Sequence, residues 1–185
     1  MSKTNISENA FNEMLSHVPL CTYPNAENIL ILGTCEESFK TQIQKHKAKV
    51  SYKNIDKLSE CQEKSFDAII VTQKFELTKD FIGQAYKVLN ANGLITFLST
   101  SYFDDIEKLK NDLLLSGEKF WIAMPFSFGH TTAVLASKKY HPTADIVLQT
   151  SDLLQDLQYY NTELHLASFV HPSFVNKELL GFAKR

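Results

Sequence analysis

Asn28-Ile29-Leu30-Ile31-Leu32-Gly33-Thr34-Cys35-Glu36-Glu37-Ser38 decides the fold. Four consecutive branched aliphatic residues ending at a glycine are the pattern of a central parallel strand, whose two faces are both covered by helices so that neither can be polar. In open α/β sheets ligands sit just past the carboxyl ends of such strands, at the turn into the next helix. Gly33 to Ser38 is therefore the expected ligand loop. A loop that wraps a nucleoside or phosphate closely carries several glycines, because the backbone must turn tightly and approach the ligand. Gly33 stands alone, followed by bulky and acidic residues, so the pattern predicts the scaffold of a cofactor site with an altered working loop.

Before this strand, Phe11, Met14, Leu15 and Val18 recur at helical spacing and Pro19 closes the run, which predicts a short amphipathic helix. Residues 1–9 are polar and are expected to form a flexible N-terminus, with residues 10–185 as one domain. After the Gly33 turn the pattern predicts a helix over 39–46, a strand over 49–55 and a strongly buried strand over 66–71. A helix follows over 78–90, with Asn92-Gly93 as its stop, then a strand over 94–98 and a helix from about 104 to 115. Strands over 119–124 and 131–137, joined through 125–130, suit an antiparallel hairpin, and from about Asp152 the chain reads as helix and loop. The expected class is α/β, a mostly parallel sheet with an antiparallel hairpin at one edge.

Composition narrows the function. With 185 residues and 44% hydrophobic content, one substantial core can be buried. Lys+Arg 19 against Asp+Glu 21 leaves a net charge of −2, which offers no basic surplus for nucleic acid. Cys21, Cys35 and Cys61 are odd in number and widely spaced, so neither a disulfide framework nor a metal site is implied. No apolar run approaches a membrane span and the N-terminus has no secretory h-region, so a cytoplasmic location without membrane partners is expected.

Four stretches together resemble the spermidine synthase family, the polyamine aminopropyltransferases built on a methyltransferase-like Rossmann fold. Phe11-Asn12-Glu13-Met14-Leu15-Ser16-His17-Val18-Pro19-Leu20 is similar to the family's Tyr-(His/Gln)-Glu-Met-x-x-His-x-Pro-Leu segment, and Ile29 to Gly33 to its first strand. Pro125 to Lys138 resembles its Pro-x-x-x-Gly loop and following strand. Tyr159-Tyr160-Asn161 through His165, Ala167, Phe169 and Pro172 resembles its Tyr-Tyr-Asn-x-x-x-His-x-Ala-x-Phe-x-x-Pro tail. The resemblance runs from residue 11 to 172 in order. It implies a shortened, divergent member lacking the family's N-terminal β domain.

The departures concern the site. The family's Gly-Gly-Gly-Asp-Gly-Gly loop matches Gly33 to Ser38, which keeps one glycine and places Glu36 at the Asp. Between Gly33 and Phe66 there is room for one strand where the family has two; an outer edge strand is the cheapest to lose, since removing an interior one would leave two neighbours unpaired. On that reading Lys53-Asn54-Ile55-Asp56 falls where the family has a ribose-gripping Glu-Ile-Asp. The resemblance thus assigns Gly33, Glu36, Asn54 and Asp56 to the nucleoside of decarboxylated S-adenosylmethionine, and Asn12 and Tyr160 to the amine. Where the family carries its catalytic Asp after the Phe-Asp-x-Ile-Ile strand, this chain has Thr72, and the second Asp becomes Phe75; Glu76 is the nearby carboxylate.

These changes bear on the chemistry that the resemblance implies, transfer of an aminopropyl group from a sulfonium to a diamine such as putrescine. At neutral pH the acceptor amine is protonated and has no lone pair. A positioned carboxylate both holds the ammonium and accepts its proton, for a gain of about 10²–10⁴ in rate. Thr72 carries no charge and is a poor base, which leaves Glu76 as the candidate substitute, so the transfer is expected to be weak or absent. Glu36 is equally what a helix amino end attracts through its dipole. Two other classes fit the fold: a non-catalytic protein that pairs with itself or with a family member, and an S-adenosylmethionine-dependent methyltransferase.

Overall fold

The structure, a computed structural model, describes residues 3–185. Its centre is a six-stranded sheet in the order β2-β1-β3-β4-β6-β5. The strands are β1 (Asn28–Leu32), β2 (Lys49–Lys53), β3 (Phe66–Val71), β4 (Leu89–Ser99), β5 (Ile122–Phe128) and β6 (Thr131–Ser137). β2, β1, β3 and β4 run parallel, and β6 and β5 close the sheet antiparallel. This is the methyltransferase-like Rossmann arrangement, with β2 as the outer parallel strand.

Alternation along β1 builds two cores. Ile29 and Ile31 face one side with Ala68 and Ile70 of β3, packed under α1 (Lys3–Thr22) and α2 (Glu37–Gln44). Leu30 and Leu32 face the other side with Ile69 and Val71, under α3 (Lys79–Val88) and α4 (Ile106–Gly117). Both cores demand apolar residues at every β1 position, the physical origin of the unbroken Ile-Leu-Ile-Leu run.

Three local expectations change. α1 runs from Lys3, so residues 3–9 of the segment read as a flexible N-terminus are helical, and Met1 and Ser2 lie outside the described residues. It also continues past Pro19: the Thr22 hydroxyl donates to the Val18 carbonyl at 2.8 Å and the Tyr23 N–H to the Pro19 carbonyl at 3.0 Å, so the last turn is held although Pro19 has no N–H to give. α3 stops at Val88, not Asn90, because Leu89 pairs with Phe66 and is fully buried. Asn90 donates to Asp67 at 2.7 Å, and the Asn92-Gly93 turn signal falls within an irregular stretch before the ladder resumes at Leu94.

In the hairpin, β5 runs on through Pro125 to Phe128 and leaves Gly129-His130 as the turn. A proline is tolerated there because β5 is an edge strand. Its outward groups meet the tail: the Ser127 N–H donates to Ser168 O at 2.9 Å, His171 Nε2 lies 3.1 Å from Pro125 O, and Ala123 and Lys184 exchange backbone hydrogen bonds. Pro125 thus occupies an outward position where the missing N–H leaves no partner wanting.

The tail, with α5 (Leu148–Ser151), α6 (Thr162–Ala167) and α7 (Ser173–Glu178), is held to α1 by Glu13. Its carboxylate, 1% exposed, accepts the N–H groups of Gln158 at 2.9 Å, Tyr159 at 2.8 Å and Tyr160 at 2.8 Å. Glu13→Ala leaves those donors without an acceptor and is expected to cost about 3–4 kcal/mol. Urea unfolding checks this, and a loss below about 1 kcal/mol would show that the tail holds by apolar packing alone.

Buried histidines set the response to acid. His17 Nδ1 lies 2.8 Å from His46 Nε2, and His17 Nε2 lies 3.2 Å from the Gln42 carbonyl oxygen, so neutral His17 donates to Gln42 and accepts from His46. Burial, reinforced by its neighbour His46, pushes His17 down to about 3, and burial takes His46 and His165 down to about 4. With folded values below the unfolded value of about 6.5, their stabilisation is complete above that pH and is lost as pH falls toward 4. The urea midpoint is therefore expected to drop between about pH 7 and pH 5, on the order of 2 kcal/mol from a single such imidazole.

Candidate functional site

Loops at the carboxyl ends of β1 and β3 meet at Gly33. Its φ is +105°, and a Cβ there would lie 2.9 Å from Thr72 Oγ1 and 3.0 Å from the Gln73 side chain, so only glycine fits. Its N–H donates to Lys53 O of β2 at 2.9 Å. Thr72, 7% exposed, is the other half of this junction. Its N–H donates to Leu32 O at 3.0 Å, and its hydroxyl lies 2.7 Å from Thr34 O and 3.2 Å from Leu32 O. The single hydroxyl proton is thus committed to the backbone of the turn.

Above this junction lies a cleft of about 610 Å³ between the amino half of α1 and the turn after β1. Glu8, Phe11 and Asn12 line it from α1, and Thr34, Cys35 and Glu36 from the turn. Spacing explains the first wall, since Glu8, Phe11 and Asn12 fall on one helix face. The Asn12 amide donates to Ser38 Oγ at 3.0 Å, which ties α1 to α2, and the rings of Phe11 and Phe39 stand 6.4 Å apart. Glu8 and Glu36 are exposed, Glu36 makes no side-chain cap on α2, and among the described residues no lysine or arginine lines the cleft. Burial pushes the Cys35 thiol up, so it is not an activated nucleophile. Carboxylates on both walls with two phenyl rings favour a cation carrying an apolar body.

The cleft unites Asn12 and Glu36, with Gly33 and Thr72 one contact behind it through Thr34. It does not gather the other expected residues. Asn54 and Asp56 stand exposed on the 3-10 turn Ile55–Glu60 and its cap, outside the cleft lining. Glu76 is turned to Lys108 of α4 at 3.4 Å. Tyr160 is 3% exposed, with its hydroxyl 2.8 Å from His165 Nδ1 and its ring 5.1 Å from that of His17. Burial pushes its phenol well above the ordinary value, and it borders a separate cavity among tail residues. Glu8 is the residue the sequence reading missed, because it lies in the stretch taken as flexible. Among the described residues no group of three His, Cys, Asp or Glu side chains could hold a metal, and no helix is long and apolar enough to cross a membrane.

The spermine/spermidine synthase domain matches residues 8–59, the stretch that builds both cleft walls. The polyamine aminopropyltransferase of Clostridium beijerinckii is 26% identical over 231 residues, spanning 98% of this chain and 81% of that protein. In sequence the chain is similar to the polyamine aminopropyltransferases along nearly its whole length. Its backbone superposes on the spermidine synthase of Thermotoga maritima with a TM-score of 0.82 at 24% identity, over 93% of this chain and 74% of that one. A spermidine synthase in complex with the transition state analogue AdoDATO gives 0.84 at 22% identity, over 93% and 75%. These two likenesses establish the fold of this chain, and its cleft must be read from its own residues.

Gly33→Ala places a Cβ against Thr72 at a φ that other residues rarely adopt. An expected loss of about 1–3 kcal/mol is to be read by urea unfolding. An unchanged midpoint would mean that the β1 and β3 loops separate freely.

Proposed function

We propose that this family member keeps a cleft for the cationic substrates of aminopropyl transfer, decarboxylated S-adenosylmethionine and a diamine such as putrescine, and transfers weakly or not at all. The observation that carries the reading is the Thr72 hydroxyl, 2.7 Å from Thr34 O, at the position the family resemblance gives to the catalytic Asp. A hydroxyl already donating to a carbonyl neither holds an ammonium by charge nor takes its proton. Glu76, drawn toward Lys108, does not fill that role. Binding is supported by Glu8, Glu36 and the Phe11 and Phe39 rings, whose charge and π faces suit alkylammonium groups. The solved relative bound to AdoDATO supports the same class of ligand. A cytoplasmic site of action goes with this reading.

One observation favours a second reading, a partner-binding role without catalysis. Phe103 and Phe174 are 75% and 56% exposed and both pack on Tyr102, an aromatic ledge open to solvent. Sedimentation of the chain alone and mixed with a family synthase tests it, and a monomer in both sets that reading aside.

Calorimetric titration tests the first. Decarboxylated S-adenosylmethionine and putrescine are expected to bind, Glu8→Gln and Glu36→Gln each to weaken the binding, and transfer to run at least about 10²-fold below that of a family synthase assayed alongside. Thr72→Asp alone is expected not to restore transfer, because an acceptor-only carboxylate would face the Thr34 and Leu32 carbonyls. Ordinary family rates in the unmodified chain would sink the reading, and so would failure of every one of these ligands to bind.

A further inference from the structure

A second cavity of about 300 Å³ opens at the amino ends of β1 and β2, the end of the sheet opposite the cleft. Lys45, His46 and Lys47 line it from the turn after α2, Asn25 from the turn before β1, and Gln149 and Thr150 from α5. Among the described residues no carboxylate lines it, in a chain whose net charge is −2. Burial holds His46 neutral, so the positive charge comes from the two lysines.

The lysines are not equivalent. The Lys45 ammonium reaches across to the segment after α5 and donates to Gln155 O at 2.5 Å. Lys47 has no side-chain hydrogen bond or ion pair among the described residues. Its φ is +54°, the left-handed position after a helix, where glycine or asparagine is favoured and a long side chain is strained. Asn25 across the cavity also has a left-handed φ of +56°, and there an asparagine is the favoured residue. Lys64 has the same backbone, with a φ of +53°, and lines no cavity, so what marks Lys47 is its place in this lining with an ammonium that has no partner among the described residues.

We infer that this cavity is a binding site for a small phosphate-bearing anion, with Lys45 and Lys47 supplying the charge and Asn25, Gln149 and Thr150 neutral hydrogen-bond donors. Two ammonium groups as point charges, with amides and a hydroxyl around them, meet the several acceptor oxygens of a phosphate, and the absence of a lining carboxylate removes the usual competitor. The inference stands apart from the proposed function, because no residue of the cleft takes part.

The test is titration of the isotope-labelled full chain with inorganic phosphate, with glycerol phosphate, and with glycerol as the neutral control, following backbone amide resonances. Saturable shifts confined to Asn25, Lys47 and Thr150 and their neighbours are expected with the two anions and not with glycerol. Tighter binding of glycerol phosphate assigns an organic phosphomonoester, and equal binding assigns free phosphate. Lys47→Asn, which suits the left-handed backbone, is expected to weaken binding about tenfold while leaving the melting temperature unchanged or raised. Lys45→Gln is expected to weaken it as well. Absence of saturation, shifts spread over surface lysines generally, or affinity unchanged in Lys47→Asn would each overturn the assignment.

Discussion

The carboxylate of Glu13 is the constraint on which the assembly turns. One oxygen lies within 3.1 Å of three successive backbone N–H groups, at residues 158, 159 and 160, nearly the whole chain away from α1. Burying a carboxylate is costly unless its hydrogen bonds are made, and backbone donors make them without needing a second charge. From that anchor the tail reaches in two directions. The Tyr159 hydroxyl accepts the Gly129 N–H at the turn of the β5–β6 hairpin, and the Tyr160 ring closes over His17. One acid thus joins the first helix, the hairpin and the C-terminal segment.

Asp67 does the same work at the other side of α1. It accepts from the Tyr23 hydroxyl at 3.0 Å, from the Glu27 and Asn28 N–H groups at 2.9 Å each, and from Asn90. Burial alone would raise its pKa, but these hydrogen bonds outweigh it and leave the carboxyl below the usual value. The chain leaving α1 is therefore fixed where it enters β1, and the cleft inherits its shape from these two acids, since Glu8, Phe11 and Asn12 ride on the helix they hold. The site and the scaffold share one element, since α1 carries both Glu13 and the wall of the cleft.

On the proposed function, affinity and reactivity come apart within the cleft. Acidic walls and phenyl rings can attract an amine with no group at hand to deprotonate it. At the junction of Gly33 with Thr72 a hydrogen bond stitches the ends of β1 and β3 together in a loop with a single glycine. Threonine there contributes to the fold in a position where an ionised acid would face carbonyl oxygens.

By itself the sequence determined the sheet and its two cores, because Ile29 to Leu32 of β1 and Thr132 to Ser137 of β6 are covered on both faces and must be apolar or small, and that demand is written in residue order. The spacing of its motifs carries the resemblance to the spermidine synthase family, and it pointed to Asn12, Gly33 and Glu36, which the fold brings to or just behind one cleft. It did not determine the limits of α1, the length of β5 or the fate of Tyr160. The last two depend on partners distant in the chain: Pro125 is allowed by its place on an edge that the tail covers, and the Tyr160 ring is taken against His17 of α1. Local pattern records only which face of an element must be buried. What a side chain then meets is decided when helices and loops close over one another, so Glu8 entered the cleft, and Asn54, Asp56 and Glu76 stayed outside it, only in the folded chain.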